Sequence, residues 1–332
     1  MAMLMAQNGD ISKSFKKKFT VGKDVRLNVA SSFGKVHCNV WDKNLLTVDV
    51  QIKVSARNDK EAQRIMNQID SQITGNSSAI SITTKVGSIN TSGKSNSFSI
   101  DYIINMPRTT TLDIRNRFGD VFIDETTSQA TLEVEYGNLS VNRLLNSAST
   151  VTLKFSNGNI AKSEKINYAL EYSTLNIKEA TDIDARTKFS TINIEGANAC
   201  KINSEYDTYK IEKAKSLVGT SKFTTINADE LLQTIDLNVE YGSLDVDKIS
   251  ASFVLINLIA SFNNISIGIP ASASYALTAN MSFGDCKYPK ASTVKVTEKS
   301  FTSKSYSGHV GQSSNSSSKV TIKGNNSDVK LF

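Results

Sequence analysis

Between Arg117 and Phe283 a two-residue tag returns at an almost fixed interval, and few architectures tolerate such a period. The copies are Arg117-Phe118, Glu135-Tyr136, Lys154-Phe155, Glu171-Tyr172, Lys188-Phe189, Glu205-Tyr206, Lys222-Phe223, Glu240-Tyr241, Ser261-Phe262 and Ser282-Phe283. Successive rings lie 18, 19, 17, 17, 17, 17, 18, 21 and 21 residues apart. A short fixed period means that each repeat is one supersecondary unit, which buries its apolar face only against its neighbours.

A run alternating apolar and polar residues precedes each tag, for example Ile235, Leu237, Val239 and Tyr241. Period two of that length predicts a half-buried strand. A second alternation follows, as in Leu175/Ile177, Ile192/Ile194 and Leu244/Val246, and its first apolar residue usually stands three positions past the ring. That odd offset breaks the phase, so the chain must bend there, and Gly137, Ser173, Ser190, Asp207 and Gly242 are the turn formers expected at the bend. Two strands of about five residues and two corners fill one repeat. The economical fold is therefore all-β: a parallel β-solenoid of about 17–18 residues per coil, right-handed by the default of parallel β connections, with coils about 4.8 Å apart.

The charge before the ring tests the coil length. If the aromatic points inward, its predecessor points outward. With one repeat per coil, Arg117, Glu135, Lys154, Glu171, Lys188, Glu205, Lys222 and Glu240 form an outward column alternating in sign at every step. With two repeats per coil, like charges would stack and repel. The shorter coil is favoured, mainly as a device for register, because an exposed pair contributes only about 0–1 kcal/mol.

Four regions are expected: 1–7 as the remnant of a secretory signal, 8–110 as an N-terminal β region, 111–290 as the repeats, and 291–332 as capping strands with a Ser-rich loop over 302–318. Within 8–110, Ala62, Ile65, Met66, Ile69 and Ile73 form one stripe of an amphipathic helix over 58–74. Asn58 with Glu61 makes its capping box and Gly75 its stop. Such a helix covers an exposed sheet end. Val320/Ile322 and Val329/Leu331 are expected to close the C-terminal end, because terminal repeats deviate to cap a stack.

Composition removes several function classes. No run of eighteen apolar residues occurs, so no membrane-spanning helix is expected. The net charge of +6 is modest, and the repeats carry no basic stripe interleaved with exposed aromatics, which argues against nucleic-acid binding. The strands are too short for an outer-membrane barrel. Cys38, Cys200 and Cys286 have no metal-ligand spacing, and Cys38 and Cys200 sit among apolar neighbours as buried thiols. His37 faces outward and His309 falls in the Ser-rich loop, neither beside a nucleophile or carboxylate at a useful spacing. No catalytic residue, cofactor or metal site is expected.

One surface stands out. About two positions past each ring runs a column of Asp120, Asn138, Asn159, Thr174, Thr191, Thr208, Thr225, Ser243, Asn264 and Asp285. Its central members, Asn138, Asn159, Thr174, Thr191, Thr208 and Thr225, form the flat, regular face that an ice- or glycan-binding solenoid presents. Strand and corner preferences alone also place Thr, Asn and Ser there. The alternative is a pectinase-like, carbohydrate-active β-helix enzyme with clustered carboxylates. Against it, the acids of this column stand at its two ends, and nine coil steps put them roughly 43 Å apart.

Phe33-Gly34-Lys35-Val36, one inserted helix, and units such as Phe118-Gly119-Asp120-Val121-Phe122-Ile123 and Tyr241-Gly242-Ser243-Leu244-Asp245-Val246 resemble the bacterial putative-adhesin family of unknown function. That family is related to the head domains of autotransporter-adhesin-like proteins. The resemblance spans residues 12 to 332 and departs where Ser, Asp or Thr replaces the turn Gly. It implies an exported, non-enzymatic protein of the bacterial envelope, acting in adhesion or scaffolding, with a cell-surface glycan or protein as partner. It supplies no catalytic residues and leaves ligand, anchoring and oligomeric state open.

Overall fold

Alternating burial follows the alternating sequence: in Thr174–Lys188, Leu175, Ile177, Ile183 and Ala185 point inward while Asn176, Lys178, Asp184 and Arg186 point out. This pattern recurs throughout the computed structural model, which describes residues 9–88, 96–290 and 292–332. The expected signal remnant at 1–7 lies outside the described residues. The fold is a β-solenoid with one short helix. The chain forms two compact units, Met1–Ser163 and Glu164–Phe332.

In the first unit, four coils stack in parallel. Arg26–Ser32 pairs with Thr111–Arg117, which pairs with Ala130–Glu135, which pairs with Ser149–Lys154. The second strands follow suit, with Val36–Val40 beside Val121–Thr126, then Asn138–Leu144, then Asn157–Ser163. Leu27↔Leu112↔Ala130 and Leu132↔Val151 are in-register core columns. Each large apolar side chain buried this way contributes roughly 1.5–3 kcal/mol.

The first coil also carries the inserted chain on its outer side. Ala79–Val86 runs parallel to Arg26–Ser32, and Ser97–Met106 parallel to Val36–Val40. Leu45–Ala56 lies antiparallel between Ser97–Met106 and Gly9–Thr20. The helix packs against this last pair, burying Ala62, Ile65 and Met66. Asn58 caps it as expected, its Oδ1 accepting the Glu61 N–H at 2.9 Å.

The helix, Asp59–Met66, is eight residues long and ends at Met66, not at 74. Ile69–Gly75 is a strand, antiparallel to Ala79–Val86, with Ile69 and Ile73 both buried. A spacing of four satisfies helix and strand periods equally, and the β-branched residues find a partner edge here, which decides for the strand.

In the second unit the coils are nearly uniform. Thr174–Lys188, Thr191–Glu205 and Thr208–Lys222 pair at a constant offset of 17 residues. Each is one continuous strand of 15 residues. In these three coils only the corner at the ring breaks the strand, whereas the second expected corner also breaks it between Ser243–Ile249 and Leu255–Ser261. The lengthening to 18 residues in Thr225–Glu240 is absorbed by a register shift opposite Ala214/Ser216.

The C-terminal segment does not close the stack. Lys319–Asn325 lies between Leu255–Ser261 and Tyr275–Ser282, parallel to both, and Asp328–Leu331 lies between Asn264–Ile267 and Cys286–Lys287. The last stretch of chain therefore threads in as a penultimate coil. The cap is a hairpin, Lys295–Ser300 with Ser303–Val310, antiparallel to Tyr275–Ser282. Within the expected Ser-rich loop, Ser303–Val310 is strand, and His309 pairs there with Ala276.

Candidate functional site

The corner is built around an unusual backbone state. Phe33, Phe118, Tyr136, Phe155, Tyr172, Phe189, Tyr206, Phe223, Tyr241, Phe262 and Phe283 all have φ between 48° and 61°. This is the left-handed region, which bulky residues rarely occupy. The sign change falls on the ring, not on the Gly or Ser after it, so the turn formers of the sequence are one place away from the turn's strained residue. That conformation swings the ring outside the coil, where each is at least 37% exposed. The inward aromatic expected from the sequence is therefore corrected. Both halves of the tag face out, and the core is filled mainly by aliphatic strand residues, joined by Tyr102, Tyr209, Phe253 and Tyr275 from outside the tags.

Once outside, the rings stack on one another. In the first unit the series Phe33, Phe118, Tyr136, Phe155 has centroids 5.2, 5.1 and 5.0 Å apart. In the second, Tyr172, Phe189, Tyr206, Phe223, Tyr241 and Phe262 follow at 4.8, 5.0, 4.7, 5.0 and 4.9 Å, with planes within 11°. Stacking of this kind contributes about 0.5–1.5 kcal/mol per pair beyond area burial, which offsets part of the left-handed strain of about 1–2 kcal/mol. The charges beside them alternate as expected. Lys188 lies between Glu171 and Glu205 in register, and Lys188–Glu205, Lys222–Glu240 and Arg117–Glu135 approach to 3.1, 3.4 and 3.3 Å.

Behind the rings of the second unit, the polar residues that follow several tags form a buried ladder. Ser190 Oγ accepts the Ser173 N–H, Asp207 Oδ1 the Ser190 N–H, and Thr224 Oγ1 the Asp207 N–H, at 3.2, 2.7 and 3.3 Å. Asn263 and Ser327 continue it. Asp207 Oδ2 also accepts from Thr187, Ser204 and the Glu205 N–H. Burial outweighs these donors and pushes its carboxyl above the usual carboxylate range.

The polar face expected to carry function lies just past the corner. Thr174, Thr191, Thr208 and Thr225 are in register, followed by Ser243, Asn264 and Asp328. Beside them runs a second outward column of Asn176, Asn193, Lys210 and Asn227, in which Asn193 donates to Asn176 at 2.7 Å. This column and the acids Glu195, Glu212 and Asp229 line a surface groove of about 460 Å³. A second groove, of about 360 Å³, runs from Asn227 past Ser243, Asp245 and Asn264 to Asp285, Lys287 and Asp328.

In the first unit the column is Asp120, Asn138 and Asn157. Asn138 donates to Asp120 Oδ1 at 2.7 Å, and Asn157 to Asn138 at 3.3 Å. Asn159 instead pairs with Ser140, two residues along the same face. Counting from the ring places Asn157 at the matching position, and a shift of two preserves the face while changing the column. The acids are also distributed differently from expectation. The threaded segment brings Asp328 beside Asp285, whose N–H donates to Asp328 Oδ1 at 3.0 Å, and Tyr306 OH donates to Asp285 Oδ1.

The remaining chemistry-bearing groups are dispersed. Cys38, Cys200 and Cys286 are buried free thiols, and burial pushes each up to about 12. His37 faces outward, as expected, 5.4 Å from the Phe122 ring. Among the described residues, no group of three or more His, Cys, Asp or Glu could hold a metal ion, and no helix is long and apolar enough to cross a membrane.

No family model matches the chain, and no curated protein matches it. Among solved structures, it is similar to a putative adhesin from Parabacteroides distasonis ATCC 8503, at 12% identity over 96% of this chain and 97% of that one, with a TM-score of 0.40. It is also similar to a putative adhesin from Parabacteroides merdae ATCC 43184, at 14% identity over 70% and 96%, TM-score 0.40. A third similar structure is a putative lipid binding protein from Parabacteroides distasonis ATCC 8503, at 11% identity over 97% and 96%, TM-score 0.28.

Proposed function

We propose that this chain is an exported, non-enzymatic module of the bacterial cell envelope, serving adhesion or scaffolding through the polar face of its second unit. The observation that carries the reading is the in-register column Thr174, Thr191, Thr208 and Thr225 beside Asn176, Asn193, Lys210 and Asn227. Hydroxyls and amides repeat there at strand spacing, about 4.8 Å, on strands such as Thr191–Glu205 and Thr208–Lys222 that are hydrogen-bonded to a coil on either side. Such a surface meets a repetitive polymer without paying to order itself. The acids Glu195, Glu212 and Asp229 along one wall of the groove and Lys210 among the amides offer both signs of charge to a cell-surface glycan or protein chain.

A glycan array and a panel of envelope proteins, probed with the purified chain and with a Thr191→Arg/Thr208→Arg variant, test the reading. Binding that the variant loses supports adhesion through this face. Binding retained by the variant removes the face from the account, and silence across repeated arrays leaves scaffolding as the role.

Asp245, Asp285 and Asp328 in the second groove favour one other reading, a carbohydrate-active enzyme. Sugar release from pectins or host glycans, abolished by Asp328→Asn, would put that reading first.

A further inference from the structure

The six stacked rings of the second unit remain unexplained by ligand binding at the Thr face. They are 38–48% exposed and form an unbroken apolar ridge, Tyr172 to Phe262. Taking about 200 Å² per ring, the ridge exposes on the order of 500 Å², near the upper end for a monomer's largest apolar patch. The faces of Phe189, Tyr206, Phe223 and Tyr241 are filled by their neighbours, so a sugar or planar ligand has no face on which to stack. Only the ring edges are on offer.

An edge-on ridge is matched by another ridge of the same period, and this chain is one. Two copies meeting ridge to ridge about a two-fold axis run antiparallel, with the charge column of one facing that of the other. Because the signs alternate, facing charges are opposite only when the axis passes between two rungs and not through one. Centred between Tyr206 and Phe223, it sets Glu205 against Lys222 of the second copy and Lys188 against its Glu240. The same axis sets Tyr206 against Phe223, Phe189 against Tyr241, and Tyr172 against Phe262. Every hydroxyl then meets an apolar ring and none meets another hydroxyl. The alternation of Phe with Tyr, in step with the alternation of sign, is what such self-recognition requires.

We infer that the aromatic ridge of the second unit is an isologous dimer interface, with its two-fold axis between the Tyr206 and Phe223 rungs. Ring edges alone bury close to 1,000 Å² in total, roughly the lower bound for a specific interface, so the dimer is weak and salt-sensitive.

Sedimentation velocity of the full chain, from micromolar to millimolar concentration, tests this. The wild type is expected to pass from monomer to dimer. Phe189→Asn/Tyr206→Asn/Phe223→Asn is expected to remain monomeric and folded by circular dichroism, because Asn tolerates the left-handed state and Asn326 already occupies it at φ 47°. Lys188→Glu is expected to weaken the dimer about tenfold, since both symmetry-related contacts become Glu–Glu, and adding Glu240→Lys restores it. A wild type that stays monomeric throughout, or a dimer that survives the triple substitution, overturns the interface. Failure of Glu240→Lys to rescue Lys188→Glu overturns its register.

Discussion

The two units turn the same corner by different means. In the first, the residue behind the ring is Gly34, Gly119 or Gly137, and only at Ser156 does a side chain appear. The coils approach so closely that a Cβ on Gly119 would lie 1.8 Å from the Gly34 carbonyl oxygen, and one on Gly137 1.9 Å from that of Gly119. In the second unit Gly242 and Gly284 keep the glycine, but Ser173, Ser190, Asp207, Thr224 and Asn263 fill the place elsewhere, and the last four accept the N–H of the preceding coil through their side chains. Close backbone approach and a buried hydrogen-bond ladder are alternative ways to close one turn. The Gly motif is therefore dispensable only where a polar side chain replaces it.

The largest effect is expected where the glycine corner is broken. Gly119→Ala forces a methyl against a backbone carbonyl, which cannot rotate away, and should destabilise the first unit by about 3 kcal/mol. Denaturant unfolding followed separately in each unit measures this, and a loss below about 1 kcal/mol would mean the corner has room to spare.

Asp207→Asn comes next, at about 2 kcal/mol. The amide can present oxygen to only one of the Ser190 and Glu205 N–H groups, leaving its NH₂ facing a second donor. Asp207→Ser, which copies the residue at 173 and 190, should cost less than Asp207→Asn in the same titration.

The same residue sharpens the comparison through pH. Burial raises the Asp207 carboxyl in the folded state, so the fold holds this proton more tightly than the unfolded chain does. The associated stability is full below the unfolded pKa, near 3.9, and is lost as pH rises through the higher folded value. Wild type should therefore fall in stability across that acidic window relative to Asp207→Ser, measured as the difference between their unfolding midpoints from pH 3 upward. Parallel curves would show that the carboxyl is not strained.

Ser190→Ala should be the mildest change, about 1 kcal/mol, because it leaves the buried Ser173 N–H without its acceptor but introduces no clash. An equal cost for Ser190→Ala and Gly119→Ala would erase the distinction between the two corners.

Much of this architecture was legible in the chain. The ring spacing gave the coil, and the alternating signs of Lys188, Glu205, Lys222 and Glu240 chose one repeat per turn, because like charges cannot stack. What stayed hidden was local conformation. An aromatic at the end of a period-two run looks like a core residue, and only its positive φ turns it outward. Ile69 and Ile73 satisfy two periods at once, so periodicity alone cannot separate the strand Ile69–Gly75 from the helix before it. The C-terminal strands Lys319–Asn325 and Asp328–Leu331 carry the same alternation wherever they insert, and nothing in their sequence says that they slip between coils already formed. On the polar face, Thr174, Thr191, Thr208 and Thr225 stand in register, whereas Asn159 lies two residues from the column position held by Asn157, a shift that strand period alone does not detect.

All of this depends on one ring per turn. The most direct measurement is oxidative cross-linking of paired cysteines on the exposed face, with the three buried thiols left in place. Thr191→Cys/Thr208→Cys should form a disulfide, since adjacent coils bring these positions to about 4.8 Å, within the Cα range a disulfide spans. Thr174→Cys/Thr208→Cys, two coils apart at about 9.6 Å, should stay reduced. Cross-linking of the second pair and not the first would mean two repeats per turn, and would contradict the account.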